Sequence, residues 1–185
     1  AGLPRRLLLL AGKYLDAPEN LTHVAASLDL AQRLVHAGCT RLVGLGTCFE
    51  YDTSLGVPLR ESSPTKPRFL YAASKLALHD MLSMYAPLAK VGFAWCRIFY
   101  QYGPMEARER LVPHVVDRLL GGGIAETTEG GQIRDFLHVA DVGAAIAAVA
   151  LSDVQGAVNV GSGVPVTVRE LVGAIARICD AEDRV

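Results

Sequence analysis

The segment TRLVGLGTCFEYD, residues 40–52, changes from apolar to polar character at Thr47. Its apolar half is short and continuous, which is typical of a strand covered on both faces of a parallel sheet. RLLLLAG at 6–12 and GFAWCRIF at 92–99 have the same character. The three runs predict buried strands. Thr47 is expected at the carboxyl end of its strand, where ligands of open parallel sheets bind.

Two helices are predicted between these strands. Apolar residues recur at helical spacing over 17–38, and Gly38 suits the end of that helix. A second helix is predicted over 69–90, after a loop rich in Pro, Ser and Thr. Strands that alternate with helices through short connections predict an α/β fold with a parallel sheet wrapped by helices.

The alternation becomes less regular after residue 104. We expect helices near 108–120, 139–151 and 167–179, with short strands at 124–128 and 157–160. This second half is predicted to form a smaller lobe that packs against the sheet and is built partly from returning segments.

The composition is that of a globular domain without a charged binding surface. The 185 residues include 18 basic and 19 acidic side chains in no long blocks, which argues against nucleic-acid and membrane partners. The four cysteines are far apart, so we expect reduced thiols, a cytoplasmic location and no metal site. The longest apolar stretch, 142–151, suits a buried helix and is too short to span a bilayer.

The segment FLYAASK, residues 69–75, places Tyr71 and Lys75 one helical turn apart on the same helix face. A solvent-facing pair is one interpretation of this spacing. The other is an active-site pair near Thr47, whose own alternative role is to satisfy local backbone groups at the strand end. Glu50 and Asp52, just after the strand, are expected to be solvated loop charges.

A strand-end threonine followed by Tyr-x-x-x-Lys on the next helix resembles the short-chain dehydrogenase/reductase superfamily. Four further segments resemble motifs of its extended branch, the NAD-dependent nucleotide-sugar epimerases, dehydratases and reductases. They are GTCFEYD at 46–52, CRIFYQYGP at 96–104, GGQIRDFLHVADV at 130–142 and NVGSG at 159–163.

The resemblance implies a Rossmann-type doubly wound parallel sheet, incomplete at the N-terminus, with a small C-terminal α/β substrate lobe. Residues 1–104 would form a partial Rossmann region with the catalytic residues, and 105–185 mainly the substrate lobe. It also implies NAD or NADP as cofactor, a nucleotide-diphosphate sugar as substrate and a homodimer. The family's early glycine-rich turn, which holds the cofactor pyrophosphate, has no counterpart before residue 6.

The resemblance assigns Tyr71 as acid/base, Lys75 as the group that tunes it and binds the cofactor, and Thr47 as the residue that orients the sugar oxygen. The chemistry explains these residue types. A tyrosine has an ordinary pKa near 10, so a pKa near 7 requires roughly 4 kcal/mol of preference for the phenolate. A neighbouring ammonium and a cationic nicotinamide can supply that preference electrostatically.

Further site residues are implied by register with the family motifs. Those expected at the cofactor, besides Tyr71 and Lys75, are Leu10, Ala11, Gly12 and Phe99. Those expected at the substrate, besides Thr47, are Cys48, Phe49, Tyr100 and Arg134. A guanidinium suits a diphosphate, although an internal ion pair of Arg134 with Asp135 or another acid is the alternative.

Two departures from the family pattern bear on the reaction. Cys48 and Phe49 stand where the family's dehydratases have Asp-Glu, so dehydration is disfavoured. Tyr100 replaces a substrate-contacting asparagine, which indicates an altered sugar pocket. We therefore expect a 4-epimerase that acts through a 4-keto sugar. The alternatives are a 4-keto-6-deoxysugar reductase and, in another class, a non-catalytic cofactor-binding scaffold or regulator.

Overall fold

A computed structural model of the protein describes residues 6–9, 16–56 and 58–185. Its contacts divide the chain into two compact units. The first comprises the described residues up to Phe99 together with Gly143–Val160, and the second comprises Tyr100–Val142 and Gly161–Val185. The functional division predicted near residue 104 stays a prediction.

The helices and strands are numbered here in chain order. They are β1 (Arg6–Leu9), α1 (Glu19–His36), β2 (Arg41–Thr47), α2 (Leu70–Ala89), β3 (Gly92–Ile98), β4 (Tyr100–Tyr102), α3 (Leu111–Leu120), β5 (Ile133–Arg134), β6 (Phe136–His138), α4 (Val139–Leu151), β7 (Gly156–Val160), β8 (Val166–Thr167) and α5 (Val168–Ile178). Short 3-10 helices cover Cys48–Glu50, Thr53–Leu55 and Glu182–Arg184.

The first unit contains a four-stranded parallel sheet in the order β1-β2-β3-β7. Its register pairs Thr47 with Ile98, and Ile98 in turn with Val160. The carboxyl ends of three strands therefore meet at one edge of the sheet, and Thr47 lies on that edge. The predicted α/β fold with a parallel sheet is confirmed.

Helices α1 and α2 contact each other and bury their apolar stripes in the core of this unit. Helix α1 begins after Pro18 and is followed by Gly38 at φ 87°, a conformation that glycine adopts without steric cost. The core consists of side chains from both helices, from β2 and β3 and from the turn before β2, namely Ala31, Cys39, Leu42, Leu78, Leu82, Ala86, Phe93 and Trp95.

Two glycines of β2 make room for the largest side chain of that core. Trp95 is fully buried and pairs with Gly44 in the register of β2 and β3. A Cβ atom at Gly44 would collide with the indole ring, and one at Gly46 would collide with the indole nitrogen and with the Glu50 carboxylate. Each glycine is therefore required because another side chain approaches its backbone too closely for a Cβ.

The second unit combines two small sheets with two helices. Strands β4 and β6 are parallel, β5 and β8 are antiparallel, and α3 packs on α5. Helix α5 begins with a capping box, in which the Thr167 hydroxyl accepts from the Glu170 amide and the Glu170 carboxylate accepts from the Thr167 amide. These reciprocal bonds fix the start of a helix whose apolar face covers α3.

Most predicted elements are present with boundaries shifted by a few residues, but the strand predicted at 124–128 is wrong. That segment is irregular because it has no strand partner. Its Ala125 amide donates instead to the Arg184 carbonyl. None of the helices within the described part of the chain is long and apolar enough to cross a membrane.

Candidate active site

Thr47 ends β2 in a buried position, with its hydroxyl and its amide both engaged locally. The side-chain oxygen accepts a hydrogen bond from the Phe49 amide at 3.3 Å, and the Thr47 amide donates to Oε1 of Glu50 at 2.9 Å. The expected local role of the hydroxyl is thus present. A hydroxyl that accepts one bond still has a proton to donate and a second lone pair, so this role is compatible with contact to a substrate oxygen.

Tyr71 and Lys75 lie side by side on the first turns of α2, as their spacing predicts. The Lys75 Nζ atom is 5.8 Å from the centroid of the Tyr71 ring. Tyr71 is half-buried, whereas Lys75 is only 6% exposed. The interpretation of a solvent-facing pair is therefore wrong for the lysine.

The Lys75 ammonium is held inside the protein by the backbone of β2. Its Nζ donates to the Leu45 carbonyl at 2.8 Å. Burial lowers the pKa of Lys75 from its usual 10.5 to about 8, while the nearby charge of Glu50 opposes that shift. With a pKa of about 8, roughly nine in ten molecules keep the ammonium at pH 7. A positive charge is therefore maintained beside the phenol.

The end of β2 and the start of α2 are joined by an aromatic contact. The Phe49 and Phe69 rings meet edge to face, with centroids 5.3 Å apart. Leu45, which holds the Lys75 ammonium, lies two residues before Thr47 on the same strand. These contacts bring the strand end and the Tyr-x-x-x-Lys helix together. Cys48 is buried at their junction, only 5% exposed.

The expectation that Glu50 and Asp52 are solvated is wrong. Glu50 is fully buried, and its carboxylate accepts from Trp95 Nε1 at 3.0 Å and from Arg97 Nε at 2.7 Å. Asp52 is 8% exposed and caps the next 3-10 helix through the Ser54 amide. Trp95 and Arg97 are two residues apart, so their side chains lie on the same face of β3. Buried N–H groups on that face need an acceptor, and this need is the sequence signal that could have identified Glu50.

The Arg97 side chain extends this polar network to β7. Its guanidinium lies 4.5 Å above the centroid of the Tyr51 ring, and the Tyr51 hydroxyl donates to Oδ1 of Asn159 at 2.7 Å. The Asn159 amide donates to Glu61 at 2.8 Å. Burial raises the pKa of the Tyr51 phenol, so it stays protonated as a hydrogen-bond donor. The network connects β2, β3, β7 and the intervening loop at the carboxyl edge of the sheet.

A narrow crevice of about 10 Å³, room for about one water molecule, lies between α1 and α2 beside the Tyr71–Lys75 pair. It is lined by Asn20, His23, Val24, Tyr71, Ser74, Lys75 and Leu78. The Ser74 hydroxyl is buried and has no hydrogen-bond partner among the described residues. A space of this size is far too small for a ligand, since ordinary ligand pockets measure roughly 300–1,000 Å³, so these residues form part of a site rather than a whole one. No cluster of potential metal ligands is found within the described ranges.

The remaining predicted residues fall in three places. Phe99 follows β3, and its amide donates to the Val160 carbonyl at 3.0 Å. In the second unit, the Arg134 guanidinium lies 4.5 Å above the Tyr100 ring centroid. The predicted cofactor residues 10–12, Leu-Ala-Gly, lie outside the described residues.

Arg134 and Asp135 of the second unit do not form the ion pair that was the alternative for Arg134. The Asp135 carboxylate accepts hydrogen bonds from the amides of Ser162 and Gly163 and from the Ser162 hydroxyl. It therefore fixes the glycine-serine turn after β7. Arg134 makes no ion pair with any acid in the described part of the chain, and its partner there is the Tyr100 ring.

Comparisons with known proteins agree with this geometry. The model of the NAD dependent epimerase/dehydratase family matches residues 12–161. The chain is 27% identical to a UDP-glucose 4-epimerase of Corynebacterium glutamicum, covering 88% of this chain and 56% of that protein. It is 33% identical to a dTDP-glucose 4,6-dehydratase of Actinoplanes sp., covering 88% of this chain and 50% of that protein.

A solved structure shares the fold as well. The UDP-glucose 4-epimerase of Thermus thermophilus, in complex with NAD, superposes with a TM-score of 0.76 at 28% identity, covering 88% of this chain and 54% of that one. The chain spans about half the length of the curated relatives it matches.

A parallel sheet whose strand end meets a Tyr-x-x-x-Lys helix defines the Rossmann-type short-chain dehydrogenase/reductase class, and that prediction is confirmed. Within this class, the chain belongs to the NAD dependent epimerase/dehydratase family.

The lowered pKa of Lys75 predicts a pH-dependent stability. The unfolded chain holds this proton up to about pH 10.5 and the folded chain only to about pH 8, so unfolding costs more as the pH rises between these values. Relative to Lys75→Met, the wild-type free energy of unfolding should rise by about 2 kcal/mol from pH 7 to pH 9.5 in urea titrations. Lys90→Met, at an exposed lysine, controls for the lost charge. A constant difference between wild type and Lys75→Met would contradict the burial of the ammonium.

Proposed function

We propose that the protein is an NAD-dependent nucleotide-sugar 4-epimerase that acts through a transient 4-keto sugar, with Tyr71 as the acid/base. The observation that carries this proposal is the buried Lys75 ammonium, held by the Leu45 carbonyl beside the Tyr71 ring. Family membership and the 4-epimerases among the relatives support the same reaction class.

The proposed roles follow from the chemistry of oxidising a sugar alcohol. The Tyr71 phenolate takes the proton from the sugar hydroxyl and returns it when the ketone is reduced again. The Lys75 ammonium stabilises the phenolate electrostatically, and its buried position strengthens that interaction because the local dielectric constant is low. The Thr47 hydroxyl donates to the reacting sugar oxygen and orients it. Bound NAD would supply the acceptor for the hydride that leaves the carbon bearing the reacting hydroxyl, and would supply the same hydride for reduction of the ketone.

The polar groups beside Tyr71 fit one end of a dinucleotide. Lys75 supplies ammonium protons, and the Ser74 hydroxyl is a buried polar group without a described partner. Together with Phe99 they would border the nicotinamide ribose, while residues 10–12 would lie along the adenosine side. We propose NAD rather than NADP because the Thermus thermophilus relative holds NAD.

The second candidate is reduction of a nucleotide-4-keto-6-deoxysugar, which would use the same three residues. Dehydration has less support, although a dehydratase is among the relatives. Cys48 and Phe49 stand at the positions of the dehydratase acid and base, and the Phe49 ring packs on Phe69. The candidate from another class is a cofactor-binding scaffold or regulator without turnover.

Arg134 is the proposed ligand of the substrate diphosphate. Its guanidinium lies over the Tyr100 ring, and the forked N–H donors of an arginine match phosphate oxygens in pairs of hydrogen bonds. Asp135 is bound to Ser162 and Gly163 and forms no ion pair with the arginine. Tyr100 would set the shape of the sugar pocket from beneath the guanidinium.

Tyr71→Phe in the complete protein should lower kcat at least about a thousandfold and leave NAD affinity within about twofold, because it removes only the titrating oxygen. Tyr85→Phe removes the same atom from another half-buried tyrosine of α2 and is the matched control. Full turnover of Tyr71→Phe with a UDP-sugar or dTDP-sugar would refute the acid/base assignment.

The same assays separate the candidate functions. Epimerisation with catalytic NAD and no net redox change supports the epimerase. Stoichiometric NAD(P)H oxidation with a 4-keto sugar supports the reductase. NAD binding with neither reaction, across both UDP- and dTDP-linked sugars, supports the scaffold.

Arg134→Ala should weaken binding of a nucleotide sugar by about tenfold to a hundredfold in calorimetry and leave the NAD affinity nearly unchanged. Arg118→Ala removes an exposed arginine from α3 of the same unit and serves as the control. Equal losses for nucleotide sugar and NAD would show that Arg134 has no specific role at the diphosphate.

A homodimer is the proposed assembly. Helix α2, which packs on α1 and on the sheet, exposes Met81, Met84 and Leu88, which are 52%, 75% and 83% exposed. A second copy would cover this apolar surface. Sedimentation of the complete protein should give a dimer, and Met84→Glu should shift it towards monomer. A wild-type monomer at all concentrations would rule the assembly out.

A further inference from the structure

Glu50 is a buried titratable group that the proposed reaction does not use. Its carboxylate is 0% exposed and lies against the β2 backbone, where Gly46 leaves the space that any Cβ would fill. Trp95 donates to both carboxylate oxygens, at 3.0 and 3.2 Å, and Arg97 donates to Oε2 at 2.7 Å. The Glu50 carboxylate is therefore enclosed by donors that stabilise one negative charge.

Glu50 and Lys75 each form a hydrogen bond with the backbone at the carboxyl end of β2. Oε1 of Glu50 accepts from the Thr47 amide at 2.9 Å. Two residues earlier, the Leu45 carbonyl accepts from the Lys75 ammonium at 2.8 Å. The segment from Leu45 to Thr47 is thus fixed by a buried anion at one end and a buried cation at the other.

The charges around Glu50 determine what it does to that cation. Arg97 from β3 faces Glu50, and Tyr51, next along the chain, stacks on Arg97. The titratable groups described around Lys75 are Tyr71 on its own helix and His23 of α1, which lines the same crevice. Arg97 is bound directly, and the Glu50 charge also favours the protonated form of Lys75. Without that anion, the Lys75 and Arg97 charges would share the interior of this unit with no opposing charge bound between them.

We propose that Glu50 is a positioning residue for the reaction: its carboxylate fixes the Thr47 amide and, with it, the strand segment whose Leu45 carbonyl binds the buried Lys75 ammonium beside Tyr71. This inference rests on the proposed function for its catalytic consequence. A structural ion pair alone would need only Arg97 as partner, and an apolar pair of similar volume could replace it. The additional bond to the Thr47 amide gives the carboxylate a contact within the site itself.

The test compares variants that change the charge in opposite directions. Glu50→Gln keeps an oxygen for the Thr47 amide but removes the negative charge, so the protonation midpoint of Lys75 should fall by about one pH unit from about 8. Arg97→Met leaves the carboxylate without its direct cation, so the midpoint should rise. The midpoint is measured by NMR in the complete protein with lysine labelled at ¹³Cε, and Lys75→Arg assigns the signal.

The alkaline limb of the kcat profile should move with the NMR midpoint in each variant, while KM for the nucleotide sugar changes little. The double variant Glu50→Gln/Arg97→Met removes both members of the ion pair, so neither is left without the other, and it serves if a single variant does not fold. Its midpoint should lie below the wild-type value, by less than in Glu50→Gln alone. An unchanged midpoint in the folded variants would overturn the inference, and so would a moved midpoint with an unmoved kcat limb.

The NMR readout does not depend on turnover. If Tyr71→Phe keeps full activity, the proposed function fails even where the Lys75 midpoint moves as expected. If Tyr71→Phe is inactive and the midpoint stays fixed, the inference on Glu50 alone fails.

Discussion

The first unit depends on one constraint, which is the burial of the Glu50 carboxylate against β2 and β3. Taking a charge out of water costs several kcal/mol unless its lone pairs are satisfied. Glu50 meets that condition with an indole, a guanidinium and the amide of Thr47. The glycines of β2, the position of Trp95 and the stacking of Arg97 on Tyr51 all follow from fitting these donors around one side chain.

The same arrangement explains why the candidate site is on rigid elements. Thr47 ends a strand that is buried along its whole length, and Tyr71 and Lys75 are on the first turns of a helix packed against that sheet. Groups held this way keep their geometry without the loop ordering that a surface site requires. This arrangement desolvates the Lys75 ammonium, which lowers its pKa to about 8. The Leu45 carbonyl and the Glu50 charge offset part of the cost of that desolvation.

Periodicity was sufficient to predict the long elements and the edge of the sheet where Thr47 lies. It could not predict β5 and β8, because two residues carry no repeat, and it placed a strand at 124–128 where only Ala125 makes a backbone bond to another segment. The adjacency of Tyr71 and Lys75 follows from helix geometry alone. The burial of Glu50 does not, since its position after a strand end is typical of loops, and only the donors on a different strand reveal it.

Trp95 gives the molecule an internal optical reporter. It is the single tryptophan of the 185 residues, so all tryptophan fluorescence of this segment comes from one side chain. Its indole N–H is bonded to the same anion that holds the Thr47 amide. A single carboxylate thus separates this ring from the Thr47 amide, so its fluorescence is expected to respond when that end of β2 changes.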